Sequence, residues 1–566
     1  MCIPVEDLKK LHLADRDASE RKQSGLPASR PGQENRPQDK PEPPELVELE
    51  KALEEAYIYD LRPERQEYIP EDKQHKLITV NTVRKVMEAL ELPLKDDDGH
   101  SVVDQILPPF PSCSSRRKLF TILFLAKELA HMSSFIKKGI WDEHLPLQRN
   151  TRSKVWECHG DTESDTKLKV ACSNENLLSS KSNSTKFEHY QWYLLAPVFN
   201  LKSPQVIHYP LHRWTRVPFD ECSPGDQSQK EGGFGEVWRV KIHPAHHNWE
   251  FRDPSFAVKR LKSGNKDDFN REIEVLRRFR DDDNPHLVKL LATYHFDNSY
   301  HLIFPWANGD LREYWRRNPK PKKSYQTARW IAEQSFGIAE ALRKVHNDDF
   351  RSTSDDGACS PKMKGRHGDI KPENILLFPP SGGNTETFQN DQGVLALSDF
   401  GLARFHRSVS MNRKYNHNLS VSYTYRAPEY DLDHEVSTSW DIWALGCVYL
   451  EFIIWYLQGW GALEEFSTKR RAHKTAINDR EDAYFYRGRR AKFGARRKAE
   501  VDKRIQELRV HKNCTGFIRD FLSLIDKDMI CIRSEDRMDC AVIATRMQDM
   551  SEKCGRCEAY CYQTDT

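Results

Sequence analysis

Apolar residues recur with helical spacing through the first quarter of the chain. Three stretches carry this pattern, over residues 46–57, 83–90 and 118–136. Asn81 or Thr82 is the expected N-cap of the second stretch, because short polar side chains satisfy the free amides at the start of a helix. The pattern predicts an α-helical module over residues 46–149.

Polar segments flank this predicted module. Residues 1–45 are rich in Pro, Gln, Asp, Lys and Arg, a composition that has too little apolar surface to fold and that predicts a disordered tail. Residues 150–186 are rich in Ser, Asn, Lys and Thr and predict a flexible linker.

From residue 187 the pattern turns strand-like before it becomes helical again. Predicted strands cover residues 235–243, 256–261, 287–291 and 301–304, and one helix is predicted over residues 269–280. Beyond Asp310 helical patterns dominate to about residue 550. Strands followed by helices predict an α+β fold in two lobes, a small lobe over about residues 214–306 and a large lobe over about residues 307–550.

One stretch, residues 440–457, is apolar enough to suggest a membrane span. It contains Asp441 and Glu451, and a charged side chain at the centre of a bilayer costs about 2.5–3.5 kcal/mol. A helix buried on all sides in a large protein core fits the same pattern. No membrane partner is therefore expected.

Composition and charge exclude few classes of binding partner. Charged residues make up 30% of the chain, yet the net charge is only +2. The basic runs at residues 469–471 and 487–498 have acidic neighbours and no aromatic stacking motif, which favours a solvated surface over a nucleic-acid site. Thirteen scattered cysteines predict reduced thiols in the cytosol or nucleus. Three of them lie in residues 551–566, which predict an exposed tail because a structural zinc site needs four ligands.

The first candidate site is the glycine-rich run KEGGFGEV that begins at Lys230. Clustered glycines between two strands let backbone amides approach an anion closely, since no Cβ intervenes. About twenty residues later, Lys259 lies inside an apolar strand, where an ammonium group is costly unless it is paired. Glu272, on the next helix, is the candidate partner, and the pair would hold the ammonium near phosphate oxygens.

The second candidate site is the run RHGDIKPENILLF at residues 366–378. Asp369 can accept a proton from a hydroxyl, Lys371 can offset the charge of a transferring group, and Asn374 can give an oxygen to a metal. Asp399 follows a predicted strand in the run LSDFG. Asn374 and Asp399 together supply hard oxygen ligands that suit Mg²⁺.

With the later runs APE at residues 427–429 and DIWALG at residues 441–446, the series of motifs resembles the eukaryotic protein kinase family over about residues 214–550. The resemblance implies a small antiparallel β-sheet lobe with one main helix and a large, mostly helical lobe. The runs RHGDIKPENILLF and VKIHPAHHNW resemble, more narrowly, a fungal group of kinases with an N-terminal helical extension.

The resemblance also implies a role for each site residue. Lys259 would contact the α- and β-phosphates and be oriented by Glu272, and Asp369 would receive the substrate proton. Lys371 would stabilise the γ-phosphate, while Asn374 and Asp399 would hold Mg²⁺. The implied ATP-binding positions also include Gly232, Gly233, Phe234, Gly235, Val237, Ala257, Phe304 behind the adenine pocket, and Pro305 and Ala307 at the hinge. Glu429 would pair with a later arginine, for which Arg537 is the candidate.

Two positions depart from the family pattern. Lys230 replaces the first glycine of the loop, where it could hinder ATP sterically or attract it by charge. Gly368 replaces an arginine that in the family commonly pairs with a phosphorylated loop residue. Because this arginine is absent, we predict that phosphorylation of the loop residue it would pair with has little effect on activity. The loop is then competent without phosphorylation, or activity is controlled from elsewhere, for example by the N-terminal module.

These residues predict an ATP- and Mg²⁺-dependent protein kinase that acts on a protein substrate. Lys371 in the catalytic run and Ser422, seven residues before Glu429, favour serine or threonine as the acceptor over tyrosine. The alternatives are a pseudokinase that serves as a nucleotide-binding scaffold, and an interaction protein that binds a partner through the helical module.

Overall fold

The computed structural model describes most of the chain. The residues described are 42–59, 67–110, 114–149, 156–158, 178, 181–221, 230–232, 235–250, 254–261, 266–280, 283–346, 363–379, 393–400, 404–407, 423–432, 437–472, 482–488 and 494–562. The chain divides into two units, with the boundary between Glu48 and Leu49. The predicted tail over residues 1–45 lies almost wholly outside the described residues.

The α-helices are numbered in chain order. They are α1 (Pro44–Ala56), α2 (Glu71–Leu77), α3 (Val80–Ala89), α4 (Val102–Ile106), α5 (Arg117–Leu125), α6 (Met132–Lys137), α7 (Lys181–Tyr190), α8 (Lys266–Arg278), α9 (Leu311–Arg317), α10 (Tyr325–His346), α11 (Pro428–Leu432), α12 (Thr438–Gln458), α13 (Trp460–Ala472), α14 (Ala499–Arg509), α15 (Gly516–Leu524), α16 (Cys540–Arg556) and α17 (Glu558–Cys561).

The strands are numbered in the same way. They are β1 (Ile58–Tyr59), β2 (Glu67–Tyr68), β3 (Leu147–Arg149), β4 (Trp156–Cys158), β5 (Ile207–Pro210), β6 (Phe219–Glu221), β7 (Lys230–Gly232), β8 (Gly235–Ile242), β9 (Ser255–Leu261), β10 (Ala292–Phe296), β11 (Ser299–Pro305), β12 (Gly309–Asp310), β13 (Met363–Arg366), β14 (Ile375–Phe378), β15 (Val394–Leu397), β16 (Arg404–Arg407), β17 (Phe485–Arg487) and β18 (Ala495–Arg497).

The N-terminal helices correct two sequence predictions. Thr79, not Asn81 or Thr82, caps α3, because its hydroxyl accepts the Thr82 amide at 3.2 Å. The single helix predicted over residues 118–136 is divided into α5 and α6. The break lies at Lys127, whose φ of 60° is the left-handed conformation that glycine usually takes at a helix end.

Part of the predicted linker over residues 150–186 is ordered against these helices. Strand β4 pairs with β3, and α7 begins at Lys181. Phe187 on α7 is fully buried, with its ring 5.7 Å from that of Phe135 on α6 and 5.4 Å from that of Trp156 on β4. This end of the segment therefore packs onto the N-terminal helices.

The small lobe is built on a twisted sheet with α8 beside it. Among the described residues, seven strands form this sheet in the order β5-β10-β11-β9-β8-β6, with β7 also paired to β8. The prediction of a strand over residues 287–291 was wrong. In that run, Val288 donates to the Leu397 carbonyl and Leu291 to the Ile303 carbonyl, so it is a buried connection that bonds to both lobes.

The large lobe is packed around α12. From Trp440 to Leu457 every residue of this helix is buried. It is long and apolar enough to span a membrane by length and composition, and the apolar stretch that meets this test lies wholly inside the protein. The chain thus has the two-lobed α+β fold predicted from its sequence.

Some polar and thiol groups are more buried than predicted. Arg470 is 1% exposed between the rings of Phe466 and Tyr484, at 4.1 and 4.2 Å. Lys498 is also buried, which lowers its pKa to about 8, helped by the nearby Arg470 charge. The solvated-surface prediction was therefore wrong for these two residues.

The exposed-tail prediction was wrong for two of its three cysteines. Cys554 at the end of α16 and Cys561 at the end of α17 are fully buried, whereas Cys557 between the two helices is exposed. The two helices fold back on the large lobe, where the Tyr325 hydroxyl donates to the Cys554 carbonyl at 3.1 Å.

Candidate active site

Lys259 is placed by the register of the small-lobe sheet. Strand β9 lies between β11 and β8, where Lys259 is opposite Leu302 on one side and Val237 on the other. Its ammonium reaches Asp399 in the large lobe, with Nζ 2.9 Å from Oδ1. Lys259 and Asp399, which are 140 positions apart in the sequence, therefore form a contact between the two lobes.

The Asp399 carboxylate is held in its charged form. Burial alone raises its pKa, but the charge and hydrogen bond of Lys259, with a smaller effect of His367, outweigh burial and lower the pKa below its usual value. Asp399 follows β15 closely and has a φ of 60°. A left-handed turn at a non-glycine residue is uncommon, and such residues concentrate at functional sites.

Asp369 is the centre of the second group. It is 4% exposed, and its Oδ2 accepts hydrogen bonds from Lys371 Nζ at 2.7 Å and from Asn374 Nδ2 at 3.0 Å. Asn374 Nδ2 also donates to the Asp369 carbonyl at 2.8 Å. Ser398, next to Asp399, donates both its amide and its hydroxyl to the Asn374 carbonyl at 2.9 Å. This pair of bonds ties the two carboxylate segments together.

The loop that carries Asp369, residues 367–374, is called the catalytic loop. A buried carboxylate on α12 holds its backbone. Asp441 is fully buried, and it accepts the amides of His367 and Gly368, each at 2.8 Å. His346, at the end of α10, donates to the same carboxylate at 2.8 Å. Burial raises the pKa of Asp441, but the hydrogen bond and charge of His346 outweigh it and leave the pKa below its usual value.

Gly368 has a backbone conformation that suits glycine. Its φ is 85°, and its amide points to Asp441 just before Asp369. A residue with a Cβ would be strained at this φ. The sequence singled out Gly368 for the side chain that it lacks, and the structure adds a backbone reason for glycine at this position.

The oxygen donors fit a divalent cation. Asn374 uses its Nδ2 for hydrogen bonds, and Asp399 uses Oδ1 for Lys259. Asn374 Oδ1 and Asp399 Oδ2 have no hydrogen-bond partner within the part of the chain that the structure describes. Two protein oxygens together with phosphate oxygens are a usual set of Mg²⁺ ligands.

The predicted adenine side lies at the end of β11. Phe304 and Pro305 pair with Ala257 and Phe256 of β9, and Ala307 follows at the connection between the lobes. Phe304, Pro305 and Ala307 are all partly exposed. The main chain there is fixed to the sheet because Trp306 donates to the Ser255 carbonyl at 3.1 Å.

Part of the predicted phosphate side lies outside the described residues. Strands β7 and β8 pair from Lys230–Val237 to Gly232–Gly235, as expected for a turn between two strands. Gly233 and Phe234, which lie between these strands in the sequence, are not among the described residues. Glu272 lies in α8, but its side chain is outside what the structure describes, so its pairing with Lys259 stays a prediction.

The predicted ion pair between Glu429 and Arg537 is present. Arg537 donates from Nη1 and Nη2 to the two carboxylate oxygens of Glu429, at 2.7 and 2.8 Å. The Arg537 side chain is fully buried and that of Glu429 is 9% exposed. The bidentate pair fixes the start of α11. Ser422, which the sequence analysis took as a sign of serine/threonine specificity, lies outside the described residues.

Sequence reasoning missed the residue that completes the support of the loop. The run DIWALG pointed to Asp441, but His346 lies 95 residues away at the end of a helix, where a histidine has no local signal of function. The same is true of Asp482, which accepts the Thr424 hydroxyl at 2.6 Å and so holds the segment before Glu429. Only the tertiary structure pairs these groups.

Comparison with known proteins gives the same family as the motifs. Residues 231–538 match the protein kinase domain. The chain is 29% identical over 229 residues to the probable LRR receptor-like serine/threonine-protein kinase RPK1 of Arabidopsis thaliana, which covers 39% of this chain and 34% of that protein. It is 26% identical over 228 residues to the proline-rich receptor-like protein kinase PERK8 of the same plant, covering 39% and 28%.

The chain thus spans about a third of the length of these curated relatives. The narrower resemblance to fungal kinases stays a prediction. The kinase-domain match covers more than half of the chain, and its bounds enclose Lys259, Asp369, Asn374, Asp399 and Arg537. This chain belongs to the protein kinase family.

Proposed function

We propose that the chain is an active, Mg²⁺-dependent protein serine/threonine kinase that transfers the γ-phosphate of ATP to a hydroxyl of another protein. The observation that carries this proposal is the meeting of Lys259 with Asp399 at 2.9 Å beside a catalytic loop in which Asp369, Lys371 and Asn374 are joined by hydrogen bonds. Protein kinases in general use ATP and a divalent cation, and the residues needed to bind both are present.

Each side chain has a chemical task in this proposal. One carboxylate oxygen of Asp369 accepts hydrogen bonds from Lys371 and Asn374. The Asp369 carboxylate takes the proton of the substrate hydroxyl. Lys371 places a positive charge beside the phosphoryl group that moves. Lys259 does the same for the phosphates that stay behind. A bound Mg²⁺, held by Asn374 and Asp399, would neutralise phosphate charge.

Support for serine and threonine over tyrosine comes from two sources. One is Lys371, in the catalytic-loop run that in the family accompanies serine/threonine specificity. The other is the relative RPK1, which is named a probable receptor-like serine/threonine-protein kinase. Analysis of the phosphorylated amino acid in the product tests this finer assignment, and phosphotyrosine as the main product would contradict it.

The proposal is tested with the full-length chain, Mg²⁺-ATP and a generic protein substrate. Asp369→Asn should lower kcat by about 10²–10⁴-fold because it removes the proton acceptor. Lys259→Met should raise the KM for ATP and lower kcat together. Arg260→Met is the matched control, since Arg260 is the next residue of β9 and pairs with Glu236 at the surface. It should behave as wild type.

The outcomes separate kinase from scaffold. Transfer that Asp369→Asn and Lys259→Met abolish, and Arg260→Met retains, supports the proposal. Binding of Mg²⁺-ATP without transfer by wild type supports the pseudokinase instead. Transfer that survives in Asp369→Asn would mean that another group accepts the proton, and would contradict the assigned site.

A further inference from the structure

A segment before the kinase-domain match completes the small lobe. We call residues 199–211 the strap. Its strand β5 pairs in parallel with β10 through four residue pairs, from Ile207–Ala292 to Pro210–His295. The match to the protein kinase domain begins only at residue 231. Both edge strands of the described sheet, β5 and β6, therefore precede the matched domain, and the strap supplies the β5 edge.

The strap also contacts helix α8. His208 Nδ1 is hydrogen-bonded to Thr293 Oγ1 at 2.9 Å, and its ring lies 5.2 Å from that of Phe269 on α8. Phe269 stacks on Tyr300 at 4.1 Å. Val206 is buried in the same core cluster as Phe269 and Ile273. The strap thus packs against the face of α8 that is directed to the sheet.

Arg280 fastens the strap to the end of this helix. It lies two residues beyond the last residue of α8, and its Nη2 donates to the carbonyls of Leu201 and Ser203 at 2.5 and 3.0 Å. Its Nε donates to the Ser203 carbonyl at 3.1 Å. A planar guanidinium suits this arrangement because it directs several N–H groups at two neighbouring carbonyls.

The residue before Arg280 contacts the Asp399 segment. The ring of Phe279 lies 5.9 Å from that of Phe400, which follows Asp399. Phe400 is 2% exposed, and its ring lies 4.9 Å from that of His367 in the catalytic loop. A continuous set of contacts therefore runs from the strap carbonyls through Arg280 and Phe279 to the turn that presents Asp399.

We propose that Arg280 is a positioning residue through which the strap holds α8 and Phe279 against Phe400, so that Asp399 keeps its place beside Lys259. This inference rests on the proposed kinase function for its effect on catalysis. The functional kinase unit then begins at the strap and not at residue 231. An Arg280 variant loses alignment of the site before it loses the fold.

The test uses the full-length chain with Arg280→Ala and Arg280→Lys. Three hydrogen bonds from a charged donor are lost in Arg280→Ala, so kcat/KM for ATP should fall about tenfold or more, while the melting temperature of the large lobe is unchanged. Arg280→Lys should recover part of the rate, since one ammonium reaches a carbonyl but lacks the fork. Lys202→Ala is the control on the strap itself, because Lys202 pairs with Glu250 at the surface.

Hydrogen–deuterium exchange makes the result independent of phosphate transfer. In Arg280→Ala, peptides that contain α8 and Phe400 should exchange faster than in wild type and in Lys202→Ala, whereas peptides from α12 should exchange at the same rate. Unchanged exchange around Phe400 would overturn the inference even if activity fell. Faster exchange there, in a chain whose wild type transfers no phosphate, would uphold the mechanical link and contradict the proposed function alone.

Discussion

The catalytic loop and the Lys259 strand are held in place by different physical means. Beneath the loop, the buried charge of Asp441 accepts two backbone amides and a histidine. Lys259 instead depends on strand register in a sheet whose edge is completed by the strap. The catalytic loop is therefore fixed by hydrogen bonds to buried polar side chains, whereas Lys259 is fixed by the pairing of strands in the sheet.

The small lobe is joined to the N-terminal helices by a neutral histidine. His246 is fully buried, where it accepts the Glu71 amide at 3.2 Å and donates to the Pro197 carbonyl at 3.0 Å. Burial lowers its pKa to about 4. The large lobe therefore relies on buried charges and the small lobe on a group that burial keeps uncharged, so substitution and acid should affect them differently.

The largest effect is expected from Asp441→Ala. The change leaves three buried donors without an acceptor, and an unsatisfied buried donor costs about 1–3 kcal/mol, so the free energy of unfolding should fall by about 5 kcal/mol. Urea unfolding measures this. Asp536→Ala, at a surface position, should change stability by less than about 0.5 kcal/mol. A loss below about 1 kcal/mol for Asp441→Ala would mean that water replaces the carboxylate.

The next effect should come from Arg537→Ala. Removing one partner of a buried ion pair typically costs about 3–5 kcal/mol, because the remaining Glu429 carboxylate stays buried without its counter-charge. Arg533, four residues earlier, pairs with Glu535 at the surface, and Arg533→Ala should cost less than about 1 kcal/mol. Urea unfolding measures both variants. Equal losses of unfolding free energy would show that the buried Glu429–Arg537 pair stabilises the fold no more than a surface pair does.

Acid should act on the small lobe through His246. With a folded pKa of about 4 against an ordinary value of 6.5, only the unfolded chain binds the proton between these values. Stability should therefore fall as the pH drops from 6.5 to about 4, by about 3 kcal/mol from this group, and level off below. Burial is the main cause, and the nearby His243 and Lys118 also disfavour the charged form, while Glu71 favours it.

The measurement is urea unfolding of wild type and His246→Gln across this pH range. Glutamine keeps an acceptor for the Glu71 amide and a donor for the Pro197 carbonyl but does not titrate, so the slope should become shallower. His100→Gln is the control at an exposed histidine. A variant whose slope equals that of wild type would assign the acid sensitivity to other groups.

The same comparison explains what could be predicted from the sequence. Asp369, Asn374 and Asp399 were predicted because polar residues that suit catalysis or metal binding stand at fixed spacings beside short apolar strands. Lys259 was predicted because a lysine inside an apolar strand needs a partner. The structure brings the four residues together by hydrogen bonds. Strand β5 was not predicted, because four residues ending in proline make a weak strand pattern and its partner lies 85 residues away. Local sequence patterns reveal functional residues in or beside strands, and they do not reveal the groups on distant elements that support those residues.

Gly368 gives the smallest and most specific test of how firmly the catalytic loop is held. Its φ of 85° is nearly that of Gly99, at 84°, which lies in a turn of the N-terminal module. Beyond the chain neighbours of Gly99, no described atom lies within 4 Å of the place that a Cβ would take. Gly99→Ala should therefore report backbone strain alone, about 1–2 kcal/mol in the free energy of unfolding. Asparagine tolerates this conformation better, so Gly99→Asn should cost less.

At Gly368 the same two substitutions act on a backbone that Asp441 holds by the amide. If that hydrogen bond fixes φ, Gly368→Ala should lose at least as much stability as Gly99→Ala, because the loop cannot relax without giving up the bond. If the loop is free to adjust, the loss should be smaller than at Gly99, since a small rotation relieves the strain. Urea unfolding of the four variants measures the difference, and a smaller loss at Gly368 would contradict the view that buried charge fixes the large-lobe half of the site.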